Sequence, residues 1–519
     1  MRLQVRPGTV KAMCVEVWPR LRRKITGLVE GYVHWQVYKK DFWLLLILAL
    51  VATTVIFWRL GEGSLGDYDE ADYAQSAREM LWTSDLNTPR WNGMEFFDKP
   101  PVCQWLTVLA YKVFGVNEFS ARFVSACAGV LAILMTCILG RDLFRRRAVG
   151  LGASIMLLTV SHNLFSHGYN FVSLARVGML DMPLILVMII AVWLAWHAQR
   201  DPRSLIWLGV PLGLGLMIKS IAGLMAFGIV GLYFLAGVPR SVWWRRELVW
   251  GMLLAALIAV PWHVGQLLLW GRQFWDSYMV SLTVGYVTGE QGHTKDWLFY
   301  FRTLRRGFPV LYPLVALAVL YGLHRAIRCK DRAARLLMCW TGVPLVLYNV
   351  SRSRIGWYMI PIYPALALLT MYLVVRVLQI LGRRAETRFL PKTWFLNGFA
   401  LAVILVVTLA FNPWLPRAND FNPDVKAVAT YSRYVLDKDS VLVNYWPGSY
   451  WIRPSALFYA DRPLLLVTSE SALRRLLQTR GDFYVLADWG DWEHMQALGQ
   501  VLYRSGGYVL VKAQSEGRQ

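Results

Sequence analysis

The sequence predicts a polytopic α-helical membrane protein with a C-terminal extracytoplasmic α/β domain. Of the 519 residues, 56% are hydrophobic, more than a soluble protein of this size could bury. Apolar runs recur from residue 42 to residue 411, and beyond them short strands alternate with helices. The formal net charge of +22 requires no nucleic acid partner, because Lys and Arg gather on the cytoplasmic loops of membrane proteins.

Residues 1–41 are predicted to be a basic cytoplasmic N-terminus, and residues 42–411 a transmembrane domain. The first run, 42–58, is interpreted as an uncleaved signal anchor, since the polar stretch before it is too long for a signal peptide. Eleven spans are predicted, within a range of eleven to thirteen. The later apolar runs lie near 119–140, 148–165, 182–198, 204–218, 220–238, 248–270, 308–323, 336–350, 355–375 and 394–411.

The distribution of basic residues predicts the orientation. With the N-terminus inside, the predicted inward loops carry 28 of the 55 Lys and Arg residues. Residues 62–118 then form the first outer loop. Residues 102–116 are short for a span and contain Lys112, so they are predicted to be an interfacial helix in that loop.

Residues 412–519 are predicted to form an outer α/β domain. Strands are expected at 441–443, 464–467, 483–486 and 508–511, with helices at 471–478 and 494–502 between them. None of these helices follows a glycine-rich phosphate loop. The domain is therefore expected to shape an entrance or to bind an acceptor.

The first outer loop concentrates groups that can do chemistry. Asp67, Asp69, Glu70 and Asp72 lie within six residues. Asp67 or Asp69 could simply cap a helix over 71–82, with Glu70 or Asp72 completing a capping box. Four acids exceed what a cap requires, however, and acids beside a bilayer are usually functional.

Asp98 and Lys99 follow in the same loop, ahead of two prolines that stiffen the chain. An ammonium held there suits a phosphate head group, although Lys99 could instead pair only with Asp98.

Further charged residues lie at predicted outer helix ends. Arg176 and Asp181 could pair with each other, and Lys219 separates two apolar runs. An outer cluster of cations makes most sense around an anion. His293 in the loop 271–307 and Arg352 and Arg354 further on complete the candidates. A lone histidine is more often a hydrogen-bonded loop residue than a ligand, so no metal site is predicted.

These stretches resemble C-type glycosyltransferases, in the branch of lipid A aminoarabinose transferases and protein O-mannosyltransferases. The pattern Asp69-Glu-Ala-Asp-Tyr-Ala-Gln-Ser-Ala-Arg-Glu-Met is the most specific part, followed by Thr88-Pro-Arg-Trp-Asn-Gly and Phe97-Asp-Lys-Pro-Pro. Weaker matches are Gly115-Val-Asn-Glu-Phe-Ser-Ala-Arg, the stretch 176–183, the Lys219 turn, His293 with Trp297 and Tyr300, and Tyr358-Met-Ile-Pro-Ile-Tyr-Pro-Ala.

The resemblance implies transfer of a sugar from a polyprenyl phosphate carrier to a lipid, glycan or protein acceptor on the outer face of the inner membrane. Asp69 matches the acid that activates the acceptor, Lys99 the lysine that holds the carrier phosphate, and Asp181 a second functional acid. Glu70 is the next candidate for the base. No cofactor is implied, and a divalent cation remains an alternative.

Two residues depart from the family pattern. Asp72 stands where members often have arginine, and Phe96 where an aromatic hydroxyl is common, which puts a metal-bound variant of the site in doubt. Three other functions remain open: a protein O-mannosyltransferase, a lipid-carrier flippase without transfer chemistry, and a non-catalytic subunit of an envelope complex. The absence of internal repeats and the acid-rich outer loop argue against the flippase.

Overall fold

The structure is a computed structural model that describes residues 41–159, 170–284, 295–308, 310–384, 418–437 and 439–514, with Thr288, Gly398 and Pro416. The chain divides into two compact units, Met1–Thr53 and Thr54–Gln519, and the division falls inside the first described helix. That helix, α1 (Asp41–Phe57), matches the predicted first run. The predicted span at 394–411 lies outside the described residues.

Helices make up most of the first part of the second unit. The first outer loop contains α2 (Asp69–Thr83), the strands β1 (Arg90–Trp91) and β2 (Met94–Glu95), and α3 (Val102–Phe114). The helices that follow are α4 (Glu118–Phe144), α5 (Arg147–Thr159), α6 (Phe171–Ala175), α7 (Asp181–His197), α8 (Arg203–Lys219), α9 (Leu224–Gly237), α10 (Arg240–Trp243), α11 (Arg246–Phe274), α12 (Phe299–Gly307), α13 (Tyr312–Ile327), α14 (Arg332–Val350) and α15 (Tyr363–Arg384).

Several of these helices can cross a membrane. Five described segments are long and apolar enough, and a sixth results if the bent pair α12 and α13 forms one span. Four shorter apolar helices are α1, α3, Arg147–Leu158 and α7. The predicted class of polytopic helical membrane protein is confirmed, whereas the count of eleven to thirteen spans stays a prediction.

The chain reverses direction between α8 and α9, over the 3₁₀ turn Ser220–Gly223. Residues eight apart in a straight helix would be separated by about 12 Å along its axis. Gly223 nevertheless packs on the backbone of Gly215, where a Cβ atom would lie only 2.3 Å from the Gly215 carbonyl carbon. Lys219 therefore lies at a reversal, as the two separate apolar runs predicted.

A tight hairpin positions the Asp98–Lys99 segment. Asn92 and Gly93 both have positive φ (53° and 80°), as a two-residue turn between twisted strands requires. Glu79 of α2 accepts hydrogen bonds from the backbone N–H groups of Asn92 (2.6 Å) and Gly93 (2.9 Å). The hairpin is thereby fixed to α2, and the chain leaves β2 directly toward Asp98.

The C-terminal region folds into a small α/β domain, as predicted. It contains α16 (Pro423–Val435), β3 (Leu442–Tyr445), α17 (Pro454–Ala460), β4 (Leu465–Val467), α18 (Glu470–Arg480), β5 (Phe483–Asp488), α19 (Trp489–Trp492), β6 (Gly499–Ser505) and β7 (Tyr508–Ala513). The strand order is β4-β3-β5-β7-β6. Strand β3 runs parallel to β4 and β5, while β7 is antiparallel to β5 and β6.

One element of this domain was predicted wrongly. A helix was expected over 494–502, but a short 3₁₀ turn ends at Leu498 and β6 follows. Gly506, with a φ of 47°, lies in the tight turn that joins β6 to β7. The free energy gained when β6 pairs with β7 outweighs the weak preference of these residues for a helix.

The C-terminal domain is joined to the first outer loop through polar contacts that are buried or partly buried. Asp420 accepts hydrogen bonds from the Ser64 backbone N–H (2.9 Å) and hydroxyl (2.6 Å). Tyr459 donates to Glu118 (3.1 Å) and accepts from the Leu65 N–H (2.8 Å). Residues of α2 also share a hydrophobic core with α16 and α17. The domain boundary at 412 stays a prediction.

Candidate active site

Five of the predicted site residues lie close together in one charged cluster, the candidate cleft. Asp69 is the first residue of α2, Asp98 and Lys99 precede α3, Asp181 is the first residue of α7, and Lys219 is the last of α8. The carboxyl group of Asp69 interacts electrostatically with all four of the others. The fold thus assembles acids and ammonium groups from four elements that are far apart in the chain.

The start of α2 positions Asp69. The preceding residue, Tyr68, has a φ of 66° and a ψ of −132° and gives the helix no side-chain cap. The predicted capping box is therefore wrong. Asp67 instead accepts hydrogen bonds from the Ser455 backbone N–H (3.0 Å) and hydroxyl (2.5 Å) of the C-terminal domain. The positive φ of Tyr68 is of the kind that is often found at functional sites.

Burial raises the pKa of Asp69 above the usual range of aspartate. The positive charge of Lys219 opposes this rise in pKa, and so does that of Lys99, while Asp98 and Asp181 add to it. Burial and the nearby acid Asp69 also raise the pKa of Asp72. A carboxylate with a raised pKa is a stronger base, provided that it is ionised.

This environment predicts how activity depends on pH. If Asp69 must be ionised, kcat/KM should fall as pH falls through its raised pKa, above the ordinary aspartate value of about 3.9. Lys99→Met should move this acid limb to still higher pH, because Lys99 lowers the pKa of Asp69. Profiles of kcat/KM for the two proteins test this, and an acid limb unmoved by the substitution would contradict it.

Lys99 is held by its neighbour. Its Nζ lies 2.8 Å from Asp98 Oδ1 and 3.0 Å from the Asp98 carbonyl oxygen. The other oxygen, Asp98 Oδ2, accepts a hydrogen bond from the hydroxyl of Tyr73 at 3.2 Å. The predicted pairing of Lys99 with Asp98 is present, and both side chains remain partly accessible to the cleft. Tyr73 lay inside the α2 motif, but nothing in the sequence indicated its contact.

Asp181 and Lys219 form a buried ion pair. Lys219 Nζ lies 2.7 Å from each oxygen of Asp181, whose side chain is 1% exposed. Lys219 also lies over the ring of Tyr358, 5.3 Å from its centre. The alternative pairing of Asp181 with Arg176 is wrong. Because 38 residues separate Asp181 from Lys219, only the fold brings them together.

Glu70 makes a different set of contacts from Asp69. Its Oε1 accepts hydrogen bonds from Arg122 Nε (2.8 Å) and the Gly178 N–H (3.0 Å), and its Oε2 accepts one from the Gly66 N–H (2.7 Å). Arg122 also donates to the carbonyl oxygens of Leu60, Glu62 and Ser64. These contacts favour a structural role for Glu70 over the catalytic role that the sequence predicted.

Arg176 holds the end of α1. Its Nη1 donates to the carbonyl oxygens of Ile56 (2.7 Å) and Trp58 (2.6 Å), and its own carbonyl accepts from Asn419 (3.0 Å). Burial lowers the pKa of Arg176 to about 10. Its engagement with backbone carbonyls favours a structural role over the predicted binding of substrate.

The remaining predicted cations make other contacts, are exposed or lie outside the described residues. Arg352 is exposed, and Arg354 donates to the carbonyl oxygens of Asn349 (2.7 Å) and Lys295. His293 lies outside the described residues. Among the residues that the structure describes, no group of three or more His, Cys, Asp or Glu is arranged to hold a metal ion.

Comparisons with known proteins agree with this fold. Residues 98–264 match the family described as dolichyl-phosphate-mannose-protein mannosyltransferase. An undecaprenyl phosphate-alpha-4-amino-4-deoxy-L-arabinose arabinosyl transferase of Pseudomonas paraeruginosa is 28% identical over 387 residues, 72% of this chain and 66% of that protein. An uncharacterized protein of Aquifex aeolicus is 27% identical over 335 residues, 64% of this chain and 63% of the relative. The chain thus covers slightly less than two thirds of both relatives.

Solved structures share the architecture over nearly the whole chain. The crystal structure of ArnT from Cupriavidus metallidurans bound to undecaprenyl phosphate has a TM-score of 0.70 at 18% identity, covering 92% of this chain and 99% of that one. The oligosaccharyltransferase of Archaeoglobus fulgidus has a TM-score of 0.56 at 13% identity, covering 92% and 74%. The fold is therefore that of a C-type membrane glycosyltransferase.

The family match and the Pseudomonas relative show that this chain is similar to the branch of lipid A aminoarabinose transferases and protein O-mannosyltransferases. The resemblance predicted from the first outer loop is thereby confirmed.

Proposed function

We propose that this protein transfers a sugar from a polyprenyl phosphate carrier to an acceptor hydroxyl or phosphate. The acceptor is a lipid or glycan of the cell envelope, such as lipid A. The observation that carries the proposal is the cleft in which one aspartate, Asp69, lies among two lysines and two further acids. Such a cleft offers both a base for an acceptor and positive charge for a departing phosphate.

The reaction is a single displacement that inverts the anomeric centre. Asp69 accepts the proton of the acceptor as its oxygen attacks the anomeric carbon. The new carbon–oxygen bond forms while the bond between that carbon and the carrier phosphate breaks. The electron pair of the broken bond leaves with the polyprenyl phosphate, and the proton stays on Asp69 until it is released to water.

Lys99 stabilises the departing phosphate in this proposal. Its ammonium is partly accessible and can exchange Asp98 for a phosphate oxygen. Lys219 is buried and donates hydrogen bonds to both oxygens of Asp181. It therefore stabilises the departing phosphate mainly by the long-range effect of its positive charge. Asp181 holds Lys219 in place, and Glu70 holds the start of α2 through Arg122. No metal is needed, because the lysines supply positive charge; a divalent cation is the alternative.

The cleft is proposed to face the periplasm, with the protein in the inner membrane. The excess of Lys and Arg on the opposite loops supports this orientation. The C-terminal domain contacts the first outer loop through Asp67 and Ser64, and these contacts support a role for the domain in guiding an acceptor.

A substrate panel tests the function. Purified protein should consume a radiolabelled polyprenyl-phosphate sugar only when an acceptor is present, and should not consume a nucleotide sugar. Product on lipid A or another glycan supports the proposal, whereas product only on a serine or threonine peptide identifies the protein O-mannosyltransferase that the family match also supports. Movement of the carrier across vesicles without any transfer would identify a flippase.

Lys99→Met should weaken carrier binding and slow transfer, each by roughly ten- to a hundredfold. Methionine keeps the apolar stem but removes the charge that meets the phosphate. The dependence of the initial rate on carrier concentration measures the effect. Lys112→Met is the matched control, since Lys112 is an exposed lysine on α3, the helix that follows Lys99. An unchanged carrier dependence in Lys99→Met would remove Lys99 from the site.

A further inference from the structure

A second polar cavity lies at the far end of the helical bundle from the cleft. It is about 290 Å³ in volume and lies between the α4–α5 turn, the start of α14 and the middle of α15. Helix α4 contacts the start of α2 through Arg122, near its first residue, and reaches the cavity at Phe144. Its 27 residues span about 40 Å, so the cavity faces the opposite membrane surface.

Two arginines in this cavity share one neutral side chain. With its amide oxygen facing Arg146, Gln379 accepts hydrogen bonds from Arg146 Nε (2.8 Å) and Nη2 (3.2 Å). Arg376 Nη1 lies 3.3 Å from a terminal atom of the same amide. One amide oxygen cannot satisfy both guanidinium groups well. Among the described residues, no carboxylate lies within salt-bridge distance of either arginine.

The one acid in the cavity is already engaged. Asp331 caps α14 through the N–H groups of Ala333 and Ala334, and it also pairs with Arg325 at 2.9 Å. It accepts a further hydrogen bond from the hydroxyl of Tyr372 at 2.8 Å. Asp331 is therefore engaged in holding the cavity wall, and no other acid of the described residues compensates the positive charge of Arg146 and Arg376.

The surroundings indicate the kind of anion. Phe144 stacks on Tyr372 at 4.2 Å, which forms a rigid aromatic wall. Val377 and Ile380, next to Arg376 on α15, are 44% and 54% exposed. The volume is at the lower limit of the roughly 300–1,000 Å³ typical of ligand pockets, so it suits a head group rather than a whole lipid. Acyl chains would lie outside it, along the exposed apolar residues.

We infer that this cavity binds the phosphate head group of an anionic phospholipid from the leaflet opposite to the cleft. Arg146 and Arg376 hold the phosphate by charge-assisted hydrogen bonds, and Gln379 accepts from the Arg146 guanidinium when the phosphate is absent. A bound lipid would tie α4 and α5 to α15. This site is separate from the transfer reaction.

Native mass spectrometry of the purified full chain tests the inference. Phosphatidylglycerol should bind the wild type more tightly than phosphatidylcholine, and the double variant Arg146→Gln/Arg376→Gln should bind it roughly tenfold more weakly. The matched control is Arg145→Gln/Arg328→Gln, which removes the same charge from exposed arginines beside the cavity. This control should bind phosphatidylglycerol like the wild type.

Three results would overturn the inference. Equal weakening in both double variants would indicate diffuse surface attraction, and equal binding of the two lipids would exclude charge recognition. Full displacement of phosphatidylglycerol by an equal concentration of inorganic phosphate would identify a site for free anions. If the double variant aggregates, the single variant Arg146→Gln, which changes an exposed residue, is tested in its place.

Discussion

Asp69→Asn should lower sugar transfer by at least about a hundredfold, because general-base assistance typically contributes about 10²–10⁴-fold. An acceptor hydroxyl holds its proton at neutral pH, so its attack requires a base within hydrogen-bond reach. Asparagine has nearly the same shape as aspartate and cannot take the proton. Asp69 makes no side-chain cap for α2, so the substitution should leave the helix start intact.

The measurement is the initial rate of transfer at saturating donor, with carrier binding recorded in parallel. Binding should stay near the wild-type value while the rate falls. Asp276→Asn serves as the control, since Asp276 is an exposed acid that pairs with Arg272. Transfer by Asp69→Asn at the wild-type rate would move the base to another residue, with Asp181 the next candidate in the cleft.

Arg122→Met should destabilise the protein by about 3–5 kcal/mol, the usual cost of removing one partner of a buried ion pair. Arg122 is fully buried, pairs with Glu70 at 2.8 Å and donates to three backbone carbonyls of the chain that leads to α2. The substitution leaves the Glu70 carboxylate without its cation and these carbonyls without a donor. The apparent melting temperature should fall by several degrees.

Glu70→Gln added to Arg122→Met should recover part of this loss, because it removes the unpaired buried charge. Arg246→Met is the matched control on α11, where the arginine side chain is 88% exposed, and it should leave the melting temperature unchanged. If Glu70→Gln alone abolished transfer in a protein of wild-type melting temperature, Glu70 would be catalytic and the structural role given to it here would be wrong.

The segments that form the cleft could be predicted from the sequence, whereas most of the contacts inside it could not. The acids at the start of α2 and the Asp98–Lys99 pair lie in short stretches whose composition is unusual beside a membrane. Neighbouring residues on a helix point about 100° apart. Which of Asp69 and Glu70 faces the cleft therefore depends on where α2 begins, and Tyr68 with its positive φ determines that point.

Contacts between distant segments could not be predicted from local patterns. Asp181 had a nearby cation in Arg176, yet the reversal after α8 brings Lys219 to it instead. Asp67 looked like a helix cap until the C-terminal domain provided Ser455 as its partner. The strand β6 depends in the same way on its pairing with β7. In each case a tertiary partner outweighs a local preference.

The anomeric configuration of the product tests the central claim most directly. If an acceptor oxygen, deprotonated by Asp69, displaces the carrier phosphate in one step, the new linkage must have the configuration opposite to that of the donor. Proton NMR of the anomeric signal in the isolated product, compared with that of the polyprenyl-phosphate sugar, measures this. The account predicts inversion; a retained configuration would require two displacements and would contradict it.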